Sequence, residues 1–145
     1  MRIAVGSDHA GFDLKVIVLD ALRERGHEVN DLGTNDATTS VDYPDFGAAV
    51  GRAVTEGSAD LGVAICGSGI GISIAANKVP GVRAALVHDA TSARLAREHN
   101  HANVLCLGAR LLGTQVVLDA LDAWLSATPG DGRHLGRIDK LAALD

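Results

Sequence analysis

The segment Leu61 to Lys78, LGVAICGSGIGISIAANK, constrains this chain more than any other. Leu61-Gly62-Val63-Ala64-Ile65 is a near-continuous apolar run, the pattern of a strand buried on both faces of a parallel sheet. Cys66-Gly67-Ser68-Gly69-Ile70-Gly71 is a glycine-punctuated turn, and Ile72 to Lys78 is compatible with a helix. A strand, a glycine turn and a helix start together present backbone N–H groups at the positive end of a helix dipole, which favours anions. Glycines let a ligand approach that backbone closely.

Spacing separates three familiar uses of such a loop. A dinucleotide fingerprint needs its third glycine at position 72, but Gly71 comes one residue early and Ile72 stands there. A P-loop needs Gly-Lys-Ser/Thr after its spacer, and no such triplet follows. A cysteine-dependent phosphatase loop wants an arginine six residues after the cysteine, which is again Ile72. What remains is a thiol at a strand end, facing a helix N-terminus, with the Ser68 hydroxyl beside it. Electropositive settings of that kind favour a usable thiolate. The competing reading is a small buried cysteine before a tight turn, since free cysteine is among the most buried residue types.

The rest of the chain supplies strands and helices in alternation. Ile3-Ala4-Val5 reads as a first buried strand ending in Ser7-Asp8-His9-Ala10-Gly11. Asp8 and His9 thus fall at a strand's C-terminal end, the edge where open α/β sheets bind ligands. Asp8 also suits a helix cap. Phe12 to Arg25 is a helix with Leu14, Ile17, Val18, Ala21 and Leu22 on one face and Asp13, Lys15, Asp20, Arg23 and Glu24 off it. Gly26 stops it. Glu28 to Leu32 is a more polar strand, and Tyr43-Pro44-Asp45 opens the next helix.

After the central segment, Val79-Pro80-Gly81 breaks the chain and Val82 to Val87 reads as a fourth buried strand. Thr91 to Glu98 is a short helix, closed by His99-Asn100-His101 in the loop entering the strand Val104 to Leu107. That strand ends in Gly108-Ala109-Arg110. Thr114 to Ser126 is strongly amphipathic, and Arg133 to Leu144 is a last helix with Arg133, Arg137 and Lys140 on one face. The alternation predicts a three-layer α/β/α sandwich over residues 1–145 as one domain, with a mainly parallel, five-stranded, Rossmann-like sheet. It does not fix strand order.

Composition narrows the function classes. The 145 residues are 47% hydrophobic but only 3% aromatic, so the core is aliphatic. The net charge of −5, without any basic block, argues against a nucleic-acid partner. No apolar run reaches membrane-spanning length and MRIAVGSDH lacks a signal-peptide pattern, so no membrane partner is expected. Two cysteines, Cys66 and Cys106, make no disulfide framework and suit a reducing cytoplasm.

Polar groups recur where strands end: Asp8-His9, Cys66 with Ser68, and Arg110. His99-Asn100 instead precedes a strand, which places it towards the opposite edge of the sheet. A site using both Cys66 and His99 therefore points to completion by a second copy of the chain. The blocks GSDHAGFDLK, DYPDF, CGSGIGISIAANK, REHNHANVL, GARLLG and GRHLGRI, in this order and spacing, resemble the ribose-5-phosphate isomerase B family, which includes galactose-6-phosphate isomerase subunits. The resemblance covers essentially the whole chain.

That resemblance implies metal-free, cofactor-free isomerisation of a small phosphorylated sugar through an enediolate. Cys66 matches the family's general base. Some members use a glutamate six residues on, and Ile72 here makes the cysteine version the consistent one. Ser68 keeps the hydroxyl that moves a proton between the substrate oxygens. Gly67, Ser68, Gly69, Ile70 and Gly71 match the loop whose amides hold the oxyanion. His99 matches the proton donor that opens the sugar ring, assisted by Asp8. His9, Arg110, Arg133 and Arg137 match the phosphate contacts, and Asn100 and Tyr43 match contacts to substrate hydroxyls or the loop. The resemblance also implies a homodimer whose sites borrow His99 and Asn100 from the partner, and leaves open whether dimers pair further.

Alternatives remain at this level. The same chemistry could serve a tetrulose 4-phosphate, such as erythrulose 4-phosphate, or a hexose 6-phosphate. A non-catalytic phosphosugar-binding module would keep the fold and the arginines, but would need neither a base nor a ring opener. His27 and His101 read as surface residues, Cys106 as core, Lys140 as a solvated charge, and His134 as undecided.

Overall fold

The computed structural model describes residues 1–145. Five strands, β1 (Arg2–Ser7), β2 (Glu28–Asp31), β3 (Leu61–Cys66), β4 (Ala84–Leu86) and β5 (Val104–Gly108), form one sheet in the order β2-β1-β3-β5-β4. Every pairing is parallel. Six helices connect and follow them: α1 (Phe12–Glu24), α2 (Tyr43–Thr55), α3 (Ile70–Asn77), α4 (Ala90–Asn100), α5 (Thr114–Ser126) and α6 (Arg133–Ala142). The predicted layered α/β architecture is what forms. No helix is long and apolar enough to cross a membrane.

Side-chain alternation along β3 divides the core in two. Leu61, Val63 and Ile65 join Leu14, Val18, Leu22, Ala93, Val117, Leu121 and Trp124 beneath α1, α4 and α5. Ala64 and Cys66 point to the other face and join Val50, Ile72, Ala76, Val104 and Cys106 beneath α2 and α3. Gly62 is a strand glycine because α2 comes very close: a Cβ there would sit 2.5 Å from Val50 Cγ1. From β1 the chain passes to β2 on one side, while β3 lies on the other. The crevice outside the C-terminal ends of β1 and β3 is therefore the topological switch point of this sheet.

Four expectations are corrected. The fourth strand is not a buried run from Val82 to Val87. Only Ala84–Leu86 pairs, all three are half-buried, and β4 has β5 as its sole neighbour, so its outer side stays open. On α1, Ile17 is 38% exposed while Lys15 is 1% exposed. Lys15 sits under the loop after β2, where Nζ donates to Asp31 Oδ1 at 2.5 Å and to the Thr34 carbonyl at 2.6 Å. A buried ammonium is tolerable when so paired. The fourth helix runs past Glu98, so His99 and Asn100 form its last turn rather than a loop. His101 caps it in the left-handed conformation at φ 48°, half-buried rather than free on the surface. His27 is likewise half-buried, and its Nδ1 is buried without a partner.

Candidate active site

The C-terminal ends of β1, β3 and β5 lie side by side, with Ser7 opposite Ile65 and Cys66 opposite Gly108. Their loops enclose a cavity of about 300 Å³, lined among others by Asp8, His9, Tyr43, Cys66, Gly67, Ser68, Gly71 and Arg110. Cys66, the last residue of β3, is 4% exposed, and its Sγ accepts a hydrogen bond from the Gly69 amide at 3.1 Å. That bond needs the chain to turn back on itself, which Gly69 allows at φ 76°. A Cβ at Gly69 would collide with the backbone of Leu107 and Gly108, at 2.8 and 3.0 Å. The Ser68 hydroxyl accepts from the Ile70 amide at 3.2 Å, at the start of α3.

Each remaining wall has its own anchor. The Asp8 carboxylate, 7% exposed, caps the short 3-10 turn His9–Gly11 by accepting from the Gly11 amide at 3.0 Å. His9 Nδ1 accepts from the Val41 amide at 3.2 Å. A backbone N–H can only donate, so the neutral His9 ring carries its proton on Nε2. The Arg110 amide donates to the Gly67 carbonyl at 2.9 Å, and a Cβ on Gly67 would lie 3.2 Å from Arg110 Nη1. The guanidinium thus rests against the glycine loop. The Tyr43 ring, at the start of α2, lies over Gly71 so closely that a Cβ there would be 2.6 Å from Cζ.

Cys106 is a control built into the same face. It lies two positions before Gly108, the partner of Cys66, and is fully buried. Burial pushes its thiol far above the ordinary cysteine value, with Cys66 adding to the effect. A thiol so placed is inert.

The other site residues named from the sequence are not in this cavity. β5 runs from Val104, opposite Gly62, to Gly108, opposite Cys66, and His99 precedes it. The strand alone separates the two ends by ~13 Å. His99 lies in a second cleft with Arg94, Glu98, Gly130, Asp131 and His134. There the His99 and His134 rings stack, with centroids 4.6 Å apart and planes within 10°. Burial lowers the His134 pKa, helped by His99, Arg133, Arg137 and His101 in that order. Asn100 opens onto a third groove with Arg83 and Leu141. Arg133 and Arg137 are exposed on α6, one turn apart. No group of three or more His, Cys, Asp or Glu side chains converges anywhere as a metal-ligand set.

Three supports went unforeseen. Gly108 backs the loop, since a Cβ there would meet the Ser68 carbonyl oxygen at 2.5 Å. Lys15 fastens the segment that leads to Val41 and His9. Leu111, 60% exposed, rims the cavity. Only the pair Leu111-Leu112 in the GARLLG block carried a signal in the sequence, and of the two Leu112 is half-buried against the core.

Residues 3–141 match the family model described as Ribose/Galactose Isomerase. The chain belongs to that family. It is 44% identical over 144 residues to ribose-5-phosphate isomerase B of Escherichia coli K12, covering 99% of this chain and 96% of that one. It superposes on ribose-5-phosphate isomerase B of Clostridium thermocellum with a TM-score of 0.97, at 51% identity over 99% of this chain and 97% of that one. Ribose-5-phosphate isomerase B of Mycoplasma genitalium, solved with bound ribulose 5-phosphate, superposes with a TM-score of 0.95 at 44% identity, covering 99% and 95%.

Proposed function

We propose that this protein interconverts ribose 5-phosphate and ribulose 5-phosphate by proton transfer through an enediolate. The observation that carries the reading is Cys66. A thiol at a strand end shares one cavity with an amide-lined loop, two acid–base side chains and an arginine, in a chain of this family. Cys66, as thiolate, takes the proton from C2 of the open-chain aldose and returns it to C1. The loop Gly67, Ser68, Gly69, Ile70 and Gly71 supplies the donors that meet charge developing on the oxygens. The Ser68 hydroxyl passes a proton from O2 to O1, so the enediol collapses to the ketose with no net gain or loss.

Ribose 5-phosphate arrives as a closed ring, so a ring-opening step comes first. The C1–O4 bond breaks, O4 takes a proton from His99, and the O1 proton goes to Asp8. Water then resets both groups. His9, Arg110, Arg133 and Arg137 bind the phosphate, with paired planar donors from the arginines. Tyr43 and Asn100 contact the hydroxyls and the loop. The scheme uses no metal and no cofactor.

His99 and Cys66 sit at opposite edges of one sheet. We therefore assign each active site to two copies of the chain in a two-fold homodimer. Because α6 is tied to α4 by the His99–His134 stack, the partner that lends His99 and Asn100 lends Arg133 and Arg137 as well. Two free cysteines suit a reducing cytoplasm. A coupled activity panel over phosphorylated tetroses, pentoses and hexoses tests the substrate. The largest kcat/KM is expected for ribose 5-phosphate. A larger value for erythrulose 4-phosphate or a hexose 6-phosphate would reassign the substrate. Binding of these sugars without turnover of any would make the protein a binding module.

A further inference from the structure

Helix α6 buries none of its residues, yet one of its side chains is held on two sides. The face of the His134 ring lies on His99, 4.6 Å between centroids. Its edge lies against Gly130, where an added Cβ would be 3.1 Å from His134 Cδ2 and 2.5 Å from the Glu98 carbonyl oxygen. Gly130 is itself gripped by the end of α4. Its amide donates to the Glu98 carbonyl at 2.8 Å, and its carbonyl accepts from His101 Nε2 at 2.5 Å. The last turn of α4 thus clasps the chain entering α6 and sets His134 flat against His99.

We propose that His134 is a positioning residue whose ring is the platform that fixes the plane of His99 for ring opening. His99 is exposed, so a ring beneath it decides which way its N–H points. His134 lies between Arg133 and Arg137 on α6, so the platform also ties the proton donor to the phosphate-binding arginines. Two stacked imidazoles resist carrying two charges. Burial lowers the His134 pKa, and His99, Arg133, Arg137 and His101 add to the effect in that order, which keeps the ring neutral. His134 therefore offers a flat, uncharged surface while His99 handles the proton.

The inference rests on reading His99 as the ring opener, and a double-mutant cycle separates the two. Full-length His134→Ala, His99→Ala, the double variant and His134→Phe are assayed with ribose 5-phosphate. An aromatic stack of this kind is worth roughly threefold to tenfold, so His134→Ala should lower kcat by about that factor and leave KM nearly unchanged. His134→Phe keeps the platform and should stay within about twofold of the parent. In the His99→Ala background, adding His134→Ala should cost nothing further. The His99 Cε1–H resonance should move in His134→Ala, as the ring current over it is lost.

If the two lesions multiply, His134 acts on its own and the proposal fails while the role of His99 stands. If His134→Phe is as damaging as His134→Ala, or if only KM moves, the platform is wrong. An unmoved His99 resonance would equally overturn it. If His99→Ala keeps full kcat, the ring-opening role fails and takes the platform with it.

Discussion

The strand-end cavity and the α4–α6 face are built on opposite plans. Around Cys66 almost every group is held by backbone: Gly69 on the thiol, Gly11 on Asp8, Val41 on His9, and Gly67 on Arg110. The sheet sets their positions, and Gly69, Gly71 and Gly108 leave no room for a Cβ. The α4–α6 face has exposed arginines, a ring stack and one clasped glycine, on a helix with no buried residue. In the mechanism we propose, the first region is a cradle for developing charge. The second, in the same mechanism, is a cationic arm that serves the cradle of a partner chain rather than its own. A fold can supply the two halves of one site from opposite edges of a sheet, provided that two copies meet.

The sharpest way to break this contrast is within the cradle. Cys66→Ala should retain the fold and phosphate binding but lose ~10²–10⁴ in kcat, as removal of a general base commonly does. Cys106→Ala, on the same face, should leave kcat within about twofold. Activity assays on both variants check this, and a collapse at Cys106 with a normal Cys66→Ala would exchange their roles.

The arm should fail differently. Arg133→Ala or Arg137→Ala should raise KM by ~10–100-fold and weaken inhibition by inorganic phosphate, since each removes a charge-assisted hydrogen bond. Lysine should rescue only in part, because paired planar donors are lost. Normal KM in both alanine variants would move the phosphate elsewhere.

A weaker effect concerns the loop that leads to Val41, whose amide holds His9. The Asp36 carboxylate accepts from the amides of Thr39 and Thr38 and from the Thr38 hydroxyl, which together push its pKa down to about 2. A carboxylate depressed in the folded state stabilises that state above its unfolded value, and the gain is lost as pH falls from near 4 towards 2. Protection of the amides at 36–41, relative to their intrinsic exchange rates, should therefore fall over that window before that of the β3 amides, and Asp36→Asn should abolish the dependence. Smallest of all, exhaustive chelation should leave turnover unchanged. Activity restored only by a divalent ion would contradict the amide-and-arginine account of charge stabilisation.

How far the sequence could be read follows the same divide. The cradle was legible because its determinants are local: an apolar run, a glycine turn and a helix start lie next to one another in the chain. Asp8 was legible both as a strand-end residue and as a cap for the same reason. Lys15 was not, because its partners Asp31 and Thr34 come from a different element and override its amphipathic position. β4 looked buried from its composition, but burial depends on neighbours, and β5 is its sole one. His99 was read into a loop because the left-handed cap at His101, two residues later, has no glycine to announce it. The His99–His134 stack joins residues far apart in sequence, which no spacing rule reveals.

The claim that two chains build each site is tested most directly by complementation. Inactive Cys66→Ala and His99→Ala proteins are mixed under conditions that exchange subunits, with exchange verified by mass-tagged chains. In a mixed dimer one site carries both lesions and the other carries neither. Random exchange makes about half of the dimers mixed, so activity should return to about a quarter of the parent level. Verified exchange with no return of activity would contradict the account, and would place Cys66 and His99 in the same chain's site.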